Sequence, residues 1–247
     1  MPDPSLDSLV NEYWAAEFGF EPEELFAEPL RIVTHRNSLA NYHGVFSLFR
    51  GGAAIVSLPS NQADALRPLL ANTAHDPSPA ALACALQSVA ASIIGPAWLG
   101  YALAVPPPSH AVRALDLHDF RALHALRQSC DPIEWEHGGS PLAQEQGKSP
   151  AENPCSGIFV DGLLAAVASY EIWGSMIAHI SIITHPDFRG RGFARGAVAH
   201  LATRALTAGL LPQYRTLESN FPSLRVAGSL GFRLYARSLA VRLLPAP

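Results

Sequence analysis

Lysine is almost missing from this chain: Lys148 is the only one in 247 residues. A basic nucleic-acid binder usually mixes lysine with exposed aromatics, so nucleic acid is not expected as a partner. Cysteine is scarce too. Cys84, Cys130 and Cys155 are odd in number and show no paired spacing, which argues against a disulfide framework and against a zinc site. The ten histidines do not cluster at ligand spacing, so no metal is expected. No apolar run reaches the roughly 18 residues needed to cross a bilayer, so no membrane is expected. The first residues, MPDPSLDSLVNEYW, are acidic and show no basic region followed by an apolar stretch. No signal peptide is therefore expected, and the expected location is cytoplasmic. Charged residues make up only 15% of the chain against 49% hydrophobic, which suits a well-buried globular protein and excludes wholesale disorder.

What charge there is lies unevenly. Residues 1–30 hold eight acidic side chains and no basic one, whereas nine arginines and a single acid, Glu218, follow from Arg189 onward. A small anion is the expected partner of the basic half. The stretch YALAVPPPSHAVRAL carries Pro106, Pro107 and Pro108, a stiff connector between apolar segments. It predicts an N-terminal α+β domain over 1–105, a linker over 106–110 and a second domain over 111–247. In the first, residues 5–28 read as helical, RIVTH, YHGVFSLF and AAIVSLP as strands, and Arg50-Gly51-Gly52 as a hairpin turn. Ser60 is expected to cap a helix over 61–71, a further helix follows Ser78, and IIGPAWLGYAL reads as a broken strand.

The second domain reads β-α-loop-β-β-β-α-β-α-β-β. HAVRALD is a strand, and a helix follows over 117–128 with Phe120, Leu123, Ala125 and Leu126 on its apolar side. The turn-rich stretch 129–156 is expected to be a long loop with a short helical piece. A hairpin turns at Asp161-Gly162, and MIAHISIIT is the next strand. A helix over 192–208 buries Ala194, Val198, Leu201 and Ala205, and Gly209 stops it. YRTLES, PSLRVAGSL and the strands FRLYA and LAVRLL close the chain.

The densest signal is PDFRGRGFARG, where an apolar strand delivers the chain into a helix. The first N–H groups of that helix have no intrahelical partner and sit at the positive end of its dipole, which favours an anion. Gly190 and Gly192 permit backbone angles that align successive amides, and they remove side chains that hold a phosphate away. Arginine adds charge and bidentate geometry. Together these suit a diphosphate better than a single carboxylate; a tight turn with solvated arginines is the plainer alternative.

Arg189-x-x-Gly192-x-Ala194 straight after an apolar strand resembles the diphosphate-binding signature of the GNAT superfamily of acyl-CoA-dependent N-acyltransferases. The segment SNFPSLRVAGSLGFRLY, with Asn220 and Leu230-Gly231-Phe232, resembles that family's downstream pattern. The element order agrees over residues 111–244. The resemblance implies a mixed, splayed α/β sheet flanked by helices, beside the smaller N-terminal α+β domain. It implies acetyl-CoA as co-substrate and transfer of its acetyl group to a primary amine, of a small molecule or a peptide, without a covalent enzyme intermediate. Ile182, Ile183 and Thr184 are implied to pair with the pantetheine arm through their backbones. The amides of Arg189, Gly190, Arg191, Gly192, Phe193, Ala194 and Arg195 are implied to hold the diphosphate, and Asn220 to reach the pantetheine arm.

Catalytic groups are less marked. The family's frequent tyrosine, seven residues after the asparagine, is Ala227 here, with Tyr235 in the following strand as a substitute acid or a packed structural tyrosine. The family's strand glutamate falls on Ala178, with His179 beside it as candidate base or structural histidine. Glu134 and Glu136, flanking Trp135, are candidates for contacting a cationic amine or acting as base, and Glu171 is a weaker one. Residues 1–105 match no motif. A degenerate GNAT-like half, a cover for the amine site and a homodimer face are all open to them. A silent acyl-CoA-binding module and an interaction protein with a vestigial site stand as alternatives to the enzyme.

Overall fold

The computed structural model describes residues 5–137 and 154–245. From the N-terminus come helix α1 (Leu6–Phe18), strands β1 (Leu30–Thr34), β2 (Gly44–Arg50) and β3 (Ala53–Leu58), helices α2 (Ala63–Leu66) and α3 (Pro79–Leu86) and strand β4 (Ala90–Tyr101). Strand β5 (Arg113–Ala114), helices α4 (Phe120–Ser129) and α5 (Pro132–His137), and strands β6 (Cys155–Val160), β7 (Leu163–Trp173) and β8 (Ile177–Thr184) follow. Helix α6 (Phe193–Thr207), strand β9 (Leu211–Leu217), helix α7 (Phe221–Ser229) and strand β10 (Arg233–Leu243) complete the order. The loop expected over 129–156 holds α5, and its part from 138 to 153 lies outside the described residues.

Two compact units emerge: residues 1–100, 215–221 and 234–247 form one, and residues 101–214 and 222–233 the other. This differs from a single cut at the prolines, because β10 is drawn into the first unit. Its antiparallel ladder with β2 runs from Arg237 opposite Phe49 to Arg242 opposite Gly44. The same ladder explains why FRLYA and LAVRLL are one strand rather than a pair.

The first unit orders its strands β1-β3-β2-β10-β4, with β1 parallel to β3 and β3 antiparallel to β2. Strand β2 is buried on both faces, which is why its sequence reads as an apolar run rather than an alternation. Val45 and Phe49 join Leu66, Leu70, Leu82 and Leu86 in one core cluster. Phe46 turns the other way and stacks on Trp14 of α1, ring centroids 5.7 Å apart. Ser78 caps α3 through Ala81 N–H, but Ser60 does not cap α2, which starts at Ala63 after Gln62. The segment Arg67–His75 continues as a 3-10 helix because Pro68 has no N–H to extend an α ladder. Strand β4 passes unbroken through Gly95-Pro96.

The second unit orders its strands β9-β8-β7-β6-β5, with only β8 and β9 parallel. Asp161 and Gly162, at φ 49° and 82°, make the tight β6–β7 turn. One sheet face carries α4 and α5, through Leu115, Leu123, Leu126, Trp135, Leu164, Val167 and Ile183. Phe120 is 42% exposed and Ala125 is also exposed, contrary to the expected apolar side. Phe120 is the first residue of α4, and Ala125 lies across the helix from Leu123. Asp119 fixes this start. It pairs with both Arg113 guanidinium nitrogens at 2.6 and 2.7 Å and accepts from Asp116 N–H. The Arg113 guanidinium holds its carboxyl below the usual range. The opposite face carries α6, whose Ala197, Val198, Ala199, Leu201, Ala202 and Ala205 are fully buried. Ala194 is only partly buried, because the helix has just begun there.

His35 offers a stability test within the first unit. Its Nδ1 lies 2.7 Å from Ser57 Oγ and its Nε2 2.7 Å from Gly44 O, so the neutral ring donates to Gly44 and accepts from Ser57. Burial pushes its pKa below the ordinary 6.5. The unfolded state therefore binds the extra proton first. The contribution is complete above 6.5 and fades as pH falls from there toward the depressed folded value. Urea unfolding followed by tryptophan fluorescence should show stability falling from pH 7 to pH 5 more steeply in the wild type than in His35→Gln. Equal slopes refute the assignment.

Candidate functional site

Strand β8 is paired unequally. Toward β7 its antiparallel ladder extends from Ile177 opposite Trp173 to Thr184 opposite Ala166. Toward β9 the parallel ladder extends from Ile177 opposite Leu211 to Ile180 opposite Tyr214 and, among the described residues, ends there. The second main-chain edge of Ser181, Ile182, Ile183 and Thr184 thus lies outside the β9 ladder. Ile183 itself is buried in the α4–α5 core beside Val167. The pairing of β6 with β7 shifts between Ile158 and Phe159, leaving Ala165 as the extra residue of a bulge. The Ala165 carbonyl accepts from His185 N–H at 2.9 Å and so anchors the end of β8.

Past His185 a 3-10 turn, Pro186–Phe188, leads into the glycine-arginine segment. Gly190 has φ 76° and Gly192 φ 81°, left-handed values that other residues adopt at a cost. Gly192 is the N-cap of α6, and no side chain caps that helix. The first N–H to bond back is that of Gly196, to Gly192 O at 3.1 Å. The amides of Phe193, Ala194 and Arg195 are therefore the orphan donors that helix geometry requires. Residues 189–192 are exposed and 193–195 partly buried, so these donors sit at the positive end of the helix beside an exposed segment.

The three arginines have different settings. Arg189 Nη2 donates to Glu134 Oε2 at 2.6 Å, and its Nε to Thr184 O at 3.4 Å. Both partners of the ion pair are 48% exposed, which limits it to under about 1 kcal/mol. Arg191 lies over the Phe188 ring, 5.4 Å from the centroid. Arg195, in the first turn of α6, is half-buried. Phe193 meets His110 edge-on at 4.7 Å, and His110 also lies against Gly192 and Gly196. The proline-rich stretch gave no sign of that contact. Glu136 sits on α5, and its side chain lies outside the described residues.

His179, half-buried on β8, stacks on Trp173 with centroids 4.2 Å apart and planes at 20°. Its register partner across the ladder is Glu171. Its Nδ1 lies 2.7 Å from Gln213 Oε1, and Gln213 Nε2 donates to the Tyr101 hydroxyl at 2.7 Å. Gln213 and Tyr101 are both fully buried. An amide oxygen only accepts, so Nδ1 is the donor in this contact. Sequence reading found His179 but neither of its partners. Cys155 is a poor nucleophile, since burial pushes its thiol up to about 12, and burial raises Cys130 as well.

Two expected residues belong to the first unit. Asn220 is exposed in the turn after β9, with its N–H on Leu217 O. Tyr235 is 3% exposed, donates to Asn11 Oδ1 at 2.8 Å and carries the Arg50 guanidinium 4.4 Å from its centroid. Burial pushes its hydroxyl up to about 12. It has the partners of a structural tyrosine. Among the described residues no group of three or more His, Cys, Asp or Glu is placed to hold a metal, and no helix is long and apolar enough to cross a membrane.

Residues 120–232 match the acetyltransferase (GNAT) family. No curated protein matches the chain. Among solved structures, an acetyltransferase of that family from Novosphingobium aromaticivorans is 23% identical, with a TM-score of 0.49, over 62% of this chain and 65% of its own. One from Colwellia psychrerythraea is 15% identical, with a TM-score of 0.49, over 65% of this chain and 60% of its own. An aminoglycoside N-acetyltransferase in complex with CoA is 20% identical, with a TM-score of 0.40, over 50% and 91% of the two chains. The chain thus spans under two thirds of the first two relatives.

Packing at the start of α6 makes a second testable point. A Cβ on Gly196 comes 3.0 Å from Ile158 Cδ1, the flexible end of a side chain, and 3.5 Å from His110 Nδ1. Gly196→Ala should be close to neutral, because helix propensity gained offsets the contact. Gly196→Val overpacks the same space and should cost about 1–3 kcal/mol in urea unfolding. Equal stability of the two variants contradicts a close helix–sheet approach here.

Proposed function

Residues 120–232 are a GNAT acetyltransferase domain, and from that premise we propose that the chain transfers an acetyl group from acetyl-CoA to a primary amine, of a small molecule or a peptide, in one ternary complex. The observation that carries this reading is a coincidence of two features: the second edge of Ser181–Thr184 lies outside the β9 ladder, and the chain then enters an uncapped helix through two left-handed glycines. Acetyl-CoA fits both. Amides of an extended arm match the main-chain groups of Ile182, Ile183 and Thr184, and its phosphates match the amides from Gly190 to Arg195, since the Arg189 N–H already donates to Pro186 O at 3.3 Å. Arg191 and Arg195 add charge directly. Arg189 does so by exchanging Glu134, a weak exposed pair, for phosphate. In this reading Glu134, held at Arg189 beside the phosphate site, lies away from the reacting amine, and Glu136 is the carboxylate proposed to contact that cation.

The amine attacks only when neutral. A lysine amine near ~10.4 is mostly charged at pH 7, and an α-amine near ~7.8 needs less help. His179 is the proposed proton acceptor. As the N–C bond forms and the C–S bond breaks, the amine proton passes to the imidazole and then to the departing sulfur, so protons balance. The raised thiols of Cys130 and Cys155 support direct transfer over a covalent enzyme intermediate. One feature favours a second reading, an acyl-CoA-binding module without transfer. Ala227, where the family pattern implies an acidic tyrosine, is fully buried and carries no acidic group.

Acetyl-CoA should raise the melting temperature of the wild type, and Arg191→Glu and Gly192→Asp should abolish that rise by placing negative charge at the orphan amides. Normal binding by both variants overturns the cradle. Thiol release over a panel of polyamines, aminoglycosides, amino acids and N-terminal peptides separates the two readings. Turnover with any amine supports the enzyme, whereas stabilisation without turnover supports the binding module.

A further inference from the structure

We infer that Glu134 sets the affinity for the acyl donor by holding the Arg189 side chain on the open edge of β8; the inference deepens the donor reading above and rests on it. The path of the main chain comes first. His185 N–H bonds Ala165 O at 2.9 Å, so these two form a hydrogen-bonded pair, and the next pair in the register is Thr184 with Ala166. Such pairs alternate in an antiparallel ladder, so Thr184 turns its own N–H and C=O away from β7. Its carbonyl therefore points to the edge that β9 has already left. There it accepts from Arg189 Nε at 3.4 Å, while Arg189 Nη2 donates to Glu134 Oε2 at 2.6 Å. One guanidinium thus covers the last carbonyl of the strand edge and is tied at another nitrogen to a carboxylate.

Packing explains why Glu134 reaches that point. Helix α5 is anchored by Trp135, 6% exposed, in the core that also holds Ile183, the residue before Thr184. Asp131 fixes the start of the same helix by accepting from Ile133 N–H at 2.7 Å. Asp187, the acid nearest to Arg189 in sequence, is 85% exposed and lies 4.0 Å from His185 instead. Burial keeps Cys130 protonated beside the pair, so that thiol adds no charge. A donor phosphate competes with Glu134 for the guanidinium, and the donor's extended arm competes with Arg189 Nε for the Thr184 carbonyl. One side-chain movement settles both contests, so arm and phosphates gain together when Arg189 changes partner. Glu134 opposes that movement. With both partners 48% exposed, the pair is worth at most about fivefold in affinity.

Titration calorimetry on the full chain tests this. Glu134→Gln keeps the shape without the charge and should bind acetyl-CoA about two- to fivefold more tightly than the wild type. Relief of plain repulsion between a carboxylate and the phosphates has the same sign, so Arg189→Gln supplies the second arm of the experiment. In that background Glu134→Gln should have no further effect. An unchanged affinity in Glu134→Gln, or an equal gain in the Arg189→Gln background, overturns the inference and leaves the donor reading standing. The 15N-detected signal of Arg189 Nε–H, assigned by its loss in Arg189→Gln, should shift when acetyl-CoA is added to the wild type. An unmoved signal beside bound acetyl-CoA also overturns the inference. Binding of acetyl-CoA by neither the wild type nor the variants overturns the donor reading, and this inference with it.

Discussion

The second unit turns on main-chain hydrogen bonds that its own fold leaves over. A strand inside a sheet satisfies both edges, and a helix satisfies all but its first and last turns. Here one such strand end and one such helix start fall close together in sequence. Strand β8 parts from β9 after Ile180, and eight residues beyond Thr184 the chain enters α6 with no side chain at its cap. The donors and acceptors left over at that strand end and that helix start thus lie close together along the chain. Side-chain identity matters less there than the path of the backbone.

Packing holds that path in place. Small residues along α6 bring the helix close over β6, β7 and β8, and Gly196 leaves room for Ile158 and His110. The bulge at Ala165 lets the carbonyl of one strand catch the N–H of His185, which sets where β8 ends. Left-handed φ at Gly190 and Gly192 then turns the chain without a Cβ. The two glycines serve different needs. A Cβ on Gly190 meets nothing within 4 Å, so only its backbone angle calls for glycine, whereas a Cβ on Gly192 would also come 3.3 Å from His110.

Local chemistry made much of this legible. Arg50-Gly51-Gly52 and Asp161-Gly162 marked their hairpins, Ser78 its cap, and Gly209 the end of α6, because each acts within a few residues of itself. Long-range partners were not legible. Glu134 meets Arg189 across 55 residues and Gln213 meets Tyr101 across 112, and neither pair leaves a periodic trace. The end of the chain misled for a related reason. Arg237 and Ser238 interrupt the apolar pattern of β10 as a turn would, yet pairing with β2 carries the strand straight through them. Phe120 failed differently: an apolar residue at a helix's first position escapes the core that residues one turn later reach.

The polar chain behind His179 bears on which reaction this fold supports. In reference peptides an imidazole near ~6.5 accepts a proton more readily than a carboxylate near ~4.3, so a histidine base suits a nucleophile that is mostly protonated at neutral pH. Its anchor is an amide and not a carboxylate, which orients the ring without adding charge beside an incoming cation. In the proposed reading the charge that holds that cation comes from a separate carboxylate, and the arginines offset the opposite charge on the acyl donor. Neither Cys130 nor Cys155 competes as a nucleophile, since burial keeps both protonated. In the proposed reading, orientation, proton acceptance and charge compensation fall to different residues, a division that suits direct attack within a ternary complex better than a two-step transfer through the protein.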